Sequence, residues 1–142
     1  MKRMKILVSV LLCAVLLSAC GGNTANAWRE GMTLSDVYTE AEINDAMDTV
    51  EAYFRAEFAG CELMNLRYDE SALDLMEQSH LAERYGADEA IVLLTDFSTS
   101  HWVREDGLQP DDCYINWKWV LTRDGDGPWQ IQASRQNEVY NP

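Results

Sequence analysis

Apolar residues return every three or four positions from Ile43 through Ala46, Met47, Val50, Phe54 and Phe58, which is the period of one helix face. The start of that helix is written into Thr39-Glu40-Ala41-Glu42, a capping box with Thr39 as N-cap and Glu42 reaching back, and Tyr38 and Ile43 flank it as a hydrophobic staple. Gly60 is a natural stop. The period then drops to two. Cys61 to Tyr68 reads as a strand with Met64, Leu66 and Tyr68 on one face. After a turn at Asp69-Glu70, Ser71 with Asp74 opens a weaker amphipathic helix carrying Leu73, Met76, Leu81 and Tyr85, which Gly86 ends. Ala90 to Leu94 is a continuous apolar run of strand length, the pattern of a central strand covered on both faces. Ser98 to Asp112 is polar and reads as a long loop. Cys113 to Thr122 alternates again, with Ile115, Trp117, Trp119 and Leu121 facing one way and Tyr114, Asn116, Lys118 and Thr122 the other. Asp124-Gly125-Asp126-Gly127 is a hairpin turn. Trp129, Ile131 and Ala133 mark the inward side of a last strand.

Helices early and hairpin strands late predict an α+β domain, a long helix and a second helix packed on a curved antiparallel sheet of about four strands. That domain spans residues 38–135, with a tail over 136–142. Ahead of it, Lys2, Arg3 and Lys5 precede an apolar stretch from Ile6 to Leu17 and the run Leu17-Ser18-Ala19-Cys20. This is the layout of a secretory signal of the lipoprotein type over residues 1–19, cleaved before an acylated Cys20. Such a residue is expected to anchor the protein, through its acyl chains, to the extracytoplasmic face of a bacterial membrane. Residues 20–37 then hold the lipidated cysteine, a small-residue tether from Gly21 to Ala27 and a lead-in.

The 11 basic and 24 acidic residues give a net charge of −13. Three of the basic ones leave with the signal, so the mature chain is more acidic still. This argues against nucleic acid or an anionic membrane surface as a partner, since phosphate binding needs clustered Lys and Arg. Of four cysteines, Cys13 is lost with the signal and Cys20 is lipidated. Cys61 and Cys113 then read first as an exported domain's disulfide, closing a loop of about 50 residues, with a pair of free thiols as the alternative. No Cys-x-x-Cys, Gly-rich phosphate loop, Ser/His/Asp order or metal-binding histidine pair occurs, and no cofactor is expected.

Several runs resemble a family of small bacterial lipoproteins: Tyr38-Thr39-Glu40, Gly60-Cys61-Glu62-Leu63, Tyr68-Asp69-Glu70, the stretch from Gly86 to Leu94, and Asn116 to Leu121. That family looks related to the nuclear-transport-factor-2-like, or cystatin-like, superfamily. The resemblance implies a long helix cradled by a bent antiparallel sheet, often with a conical pocket between them. It implies no particular activity, because the superfamily holds dehydratases, isomerases, ligand binders and dimerisation modules.

In such a cone Asp96, His101 and Tyr114 are candidates for an acid/base group, against the plainer reading of polar residues at a strand end and in a loop. Trp117 and Trp119 could stack on a sugar or line an apolar pocket, or simply pack against the first helix; Trp129 could pair with them across the hairpin. Asp124-x-Asp126 resembles the opening of a calcium loop, but Pro128 stands where a further oxygen ligand belongs and no closing Glu follows, which favours a turn. Asp111-Asp112, near Glu105 and Asp106, reads as a solvated loop rather than an ion site. The expected function is a tethered, non-enzymatic module binding a small molecule, a glycan or a protein. The alternative is a small cone enzyme of hydro-lyase or isomerase type.

Overall fold

The computed structural model describes residues 21–31, 35–70 and 75–136. The expected signal, Cys20, the Ser71–Asp74 helix start and residues 137–142 lie outside them. In chain order the elements are β1 (Trp28–Glu30), α1 (Glu40–Glu57), β2 (Cys61–Arg67), α2 (Leu75–Arg84), β3 (Glu89–Thr99), β4 (Cys113–Arg123) and β5 (Gln130–Gln136). The class is α+β: among the described residues, two helices lie on a five-stranded sheet whose strands run in the order β1-β2-β3-β4-β5.

α1 begins where its capping box requires. Thr39 N–H donates to Glu42 Oε2 at 2.8 Å, and Glu42 N–H donates to Thr39 Oγ1 at 3.3 Å. Ile43, Ala46, Met47, Val50 and Phe54 form its buried stripe, and the periodic spacing lays that stripe on one sheet face. There Phe54 stacks on Phe58 with centroids 4.8 Å apart, and Phe97 stacks on Tyr114 at 5.0 Å. Trp119, fully buried, lies 5.5 Å from Phe58, and its indole N–H donates to Thr95 Oγ1 at 2.8 Å. At the far end Tyr38 O–H donates to the Ala90 carbonyl at 2.6 Å, and the Arg123 guanidinium lies over the Trp129 ring. Trp129 therefore meets Tyr38 and Arg123 rather than Trp117 and Trp119. α2 covers a smaller patch on the opposite face, where Val92 and Val120 pack with Leu81 and Ala133.

Four features differ from expectation. The sheet is mixed and has a fifth strand, because the lead-in supplies β1 parallel to β2, Trp28 opposite Asn65. The stretch expected to be a slack tether is also built in. Asn23 N–H donates to the Cys61 carbonyl at 2.9 Å, and Leu63 N–H to the Asn23 carbonyl at 2.8 Å. β3 runs on to Thr99, so the expected loop begins later and Asp96 lies inside a strand rather than at its end.

The fourth is a set of β-bulges. Between β2 and β3 the pairing steps from Leu63–Phe97 to Asn65–Asp96, leaving Met64 extra. Between β3 and β4 it steps from Thr95–Trp117 to Phe97–Tyr114, so Ile115 and Asn116 together oppose Asp96. A third irregularity lies between β4 and β5, where Leu121 pairs Ile131 and Val120 pairs Ala133. Each inserted residue reverses the inside-outside alternation beyond it. Leu63 rather than Met64 joins Leu66 and Tyr68 in the core, and Tyr114 rather than Ile115 joins Trp117 and Trp119. Ala133 turns to the α2 side while Ile131 stays with α1.

The expected Cys61–Cys113 bridge is not formed: both thiols are free, Cys61 buried and Cys113 exposed. Cys61 pairs Thr99 and Cys113 pairs Ser98, on opposite sides of β3. Two strand spacings put their Cα atoms about 9–10 Å apart, beyond the ~7 Å that a disulfide spans. Burial, then the nearby Glu105 charge, pushes the Cys61 thiol up to about 11. In protein denatured without reductant, both cysteines are expected to alkylate; in native protein at neutral pH Cys113 should react and Cys61 should be protected. Peptide mass spectrometry reads this directly, and a linked Cys61–Cys113 peptide would refute it.

Candidate functional site

The proposed acid/base trio is not assembled. Tyr114 is buried on the α1 side of the sheet, its hydroxyl oxygen accepting from Gln109 N–H at 2.8 Å. His101 is 89% exposed on the loop after β3, with Nδ1 2.8 Å from Asp111 Oδ2. Asp96 lies on the face of the sheet away from α1. Trp117 and Trp119 pack into the core with Phe58 and Phe97 and fill the space where a cone would open. Asp124 to Gly127 is a turn closed by Gly127 N–H to the Asp124 carbonyl at 3.0 Å and braced by Asp88. Asp112 Oδ1 caps the amide of Cys113.

Asp96 is instead the centre of a polar cluster on the outer face. Its Oδ2 accepts from Arg67 Nη1 at 2.7 Å and from Asn65 Nδ2 at 3.0 Å. Its Oδ1 accepts from Arg67 Nη2 at 3.2 Å and from the Asn116 amide at 2.8 Å. Arg67 also donates to Asn65 Oδ1 at 2.6 Å and to Asn116 Oδ1. Burial alone would raise the Asp96 carboxyl, but the Arg67 fork and the Asn116 and Asn65 donors hold it below the usual carboxylate range. All four lone-pair directions are in use, so at neutral pH Asp96 is an ionised clamp that offers no free pair for proton abstraction. What it clamps is both bulges: Asn65 ends one, and Asn116, held at φ 57°, ends the other. A left-handed Asn is tolerated where local hydrogen bonds repay it, and here Asp96 and Arg67 supply them.

Each of the two bulges flanking β3 also turns one large apolar side chain outward. Met64 is 39% exposed and Ile115 is 51% exposed, on either side of Asp96. Trp28, 56% exposed, stands opposite Asn65 on β1. Its neighbour Arg29 turns the other way, to Glu51 and Asn44 of α1, so Trp28 shares the outer face. Trp28, Met64, the Asp96–Arg67 clamp and Ile115 thus form one band across four adjacent strands. α2 packs near Val92, toward the other end of β3. Sequence reasoning singled out Asp96 alone in this band, because the pairing that gathers its neighbours spans residues 28 to 116.

The chain matches no known protein family, no curated protein and no solved structure. Any functional assignment therefore rests on the site itself.

Proposed function

We propose that this chain is a lipid-anchored, extracytoplasmic binding module, not an enzyme, whose partner is a protein docking on the outer sheet face around Asp96. We further propose that its fold is a cystatin-like or nuclear-transport-factor-2-like cone with its mouth filled, in keeping with the small-lipoprotein resemblance. The observation that carries the function is a contrast between the two faces. The α1 side, where this superfamily would hold a ligand, is packed with aromatic rings, while Trp28, Met64 and Ile115 stand in water around a charged clamp.

A small ligand needs a concavity that encloses most of its surface, and an open sheet face supplies none. A protein surface needs area, a few large apolar or aromatic anchors and a fixed polar centre, and Trp and Arg are the residue types that most often dominate such contacts. Exposed apolar side chains grouped on one face are also the usual mark of an interaction site. The net charge of −13 favours a neutral or cationic partner.

The test uses the full chain in a bacterial host with a photo-crosslinking residue at Ile115 or, as control, at Asp45 on the outer side of α1. A discrete adduct from position 115, absent from position 45 and lost with Trp28→Asp, is expected. Equal labelling from both positions would sink the docking face. In parallel, Cys20→Ala should lose acylation and move from the membrane to the soluble fraction; unacylated protein that stays in the membrane would sink the anchor.

A further inference from the structure

If Cys20 is acylated, as the proposed function holds, the way the next residues are seated decides which end of the domain meets the bilayer. Consecutive Cα atoms are about 3.8 Å apart, so the lipid attachment point lies one residue from Gly21. Gly21 is not on a free arm. Gly22 N–H donates to the Arg55 carbonyl at 3.1 Å, and Asn23 is paired alongside Cys61 to Leu63. The seat is tight: a Cβ on Gly21 would come within 1.8 Å of the Arg55 carbonyl oxygen, and one on Gly22 within 2.4 Å of that of Phe54. Only glycine permits so close a backbone approach. The chain is therefore seated against the body of the domain as far as Gly21.

Gly21 lines a shallow cleft of about 390 Å³ together with Gly60, Ser98 to Ser100 and Trp102. Trp102 is 56% exposed and is carried on a braced loop. Ser100 N–H donates to the Gly60 carbonyl at 2.7 Å, and both Val103 and Asp111 donate their N–H groups to the Ser100 carbonyl at 3.3 Å. Tryptophan partitions to the headgroup level of a bilayer, where its ring is sheltered and its N–H is wet.

We infer that the end of the domain bearing Gly21, Gly60 and Trp102 lies against the bilayer, with Trp102 entering the lipid interface beside the acylated Cys20. The same loop carries Glu105, Asp106, Asp111 and Asp112, all exposed, which oppose contact with anionic headgroups. The surface it fits is a zwitterionic one. The outer-face band is then held upright, facing sideways, within reach of other membrane-tethered proteins.

The experiment takes full-length protein purified from membranes and reconstituted in phosphatidylcholine vesicles whose acyl chains carry bromine. Mass spectrometry of its N-terminal peptide first reports acylation. Bromine should quench part of the tryptophan fluorescence; Trp102→Phe should remove more than half of that quench and Trp28→Phe should leave most of it. Admixture of anionic lipid should weaken it at low salt. An unacylated N-terminus overturns the anchoring reading and this inference with it. Acylated protein whose quench is absent, or is unchanged by Trp102→Phe, overturns the orientation alone.

Discussion

Trp119→Ala is expected to cost about 3–5 kcal/mol of folding stability, the range for deleting a large aromatic side chain from a packed core. Trp119 is wholly buried, meets Phe58 and Tyr53, and supplies the hydrogen bond that satisfies Thr95 Oγ1. Its removal leaves a cavity and takes away the donor to a buried hydroxyl. Trp119→Phe keeps most of the ring contact and forfeits the hydrogen bond, so its loss should be nearer 1–2 kcal/mol. Urea denaturation of both variants reads the difference. A loss below about 1 kcal/mol for the alanine variant would mean that the helix–sheet interior is not packed around this ring. The reading of a filled cone, and the preference for a surface partner, would then fall together. In the crosslinking assay, by contrast, Trp119→Phe should leave labelling from position 115 intact, because the proposed docking face lies on the other side of the sheet.

Asp96→Ala is expected to be nearly as damaging, by about 3 kcal/mol, or a melting-temperature drop on the order of 10 °C. The mechanism is electrostatic rather than steric. Arg67 and Asp96 are mostly covered, with side chains 19% and 13% exposed, and removing the carboxylate leaves a guanidinium without its countercharge. The Asn116 amide and Asn65 lose their acceptor in the same step, so both bulges are released. Replacing Arg67 and Asp96 together with leucine should cost clearly less than Asp96→Ala alone, since no uncompensated charge remains. The sign of the pH dependence follows from the direction of the shift. A carboxylate held below its unfolded value contributes stability that is full above about pH 4 and is lost as pH falls through the folded value. The gap between wild type and Asp96→Ala should therefore shrink in acid. Glu42 adds to the same acid limb: Thr39 N–H, Arg123 and the Thr39 hydroxyl lower it to about 2. Its part of the loss should fall between about pH 4.5 and 2. A gap independent of pH down to 2 would show that the clamp is not ionic.

A band that exists only because two strands each carry an extra residue could not be read from alternation. On β2 the pattern from Cys61 to Tyr68 suggests Met64, Leu66 and Tyr68 as one face, and on β4 it suggests Ile115 with Trp117 and Trp119. Both assignments fail at one residue, for the same reason: a bulge shifts the two-residue period by one. Nothing local announces the bulges. Asn116 is the one hint, since Asn tolerates positive φ, but its partner Asp96 is 20 residues away and Arg67 is 49 residues away. The cysteines failed similarly. Two cysteines in an exported chain suggest a bridge by composition, yet the register sets them on opposite sides of β3, one facing in and one facing out.

Where the controlling interactions are local, the sequence alone decides. The α1 capping box, its apolar stripe, the Asp124–Gly127 turn and the α+β class all depend on residues within a few positions of one another, and periodicity expresses them directly. Pairing across the sheet is a different matter. It made a fifth strand from Trp28 to Glu30, seated Gly21 to Asn23 against Arg55 and Cys61, packed rings of α1, β3 and β4 between the helix and the sheet, and closed Asn65, Arg67 and Asn116 around the Asp96 carboxylate. Those outcomes depend on which strands lie side by side and by how many residues they are offset, and long-range contacts set both.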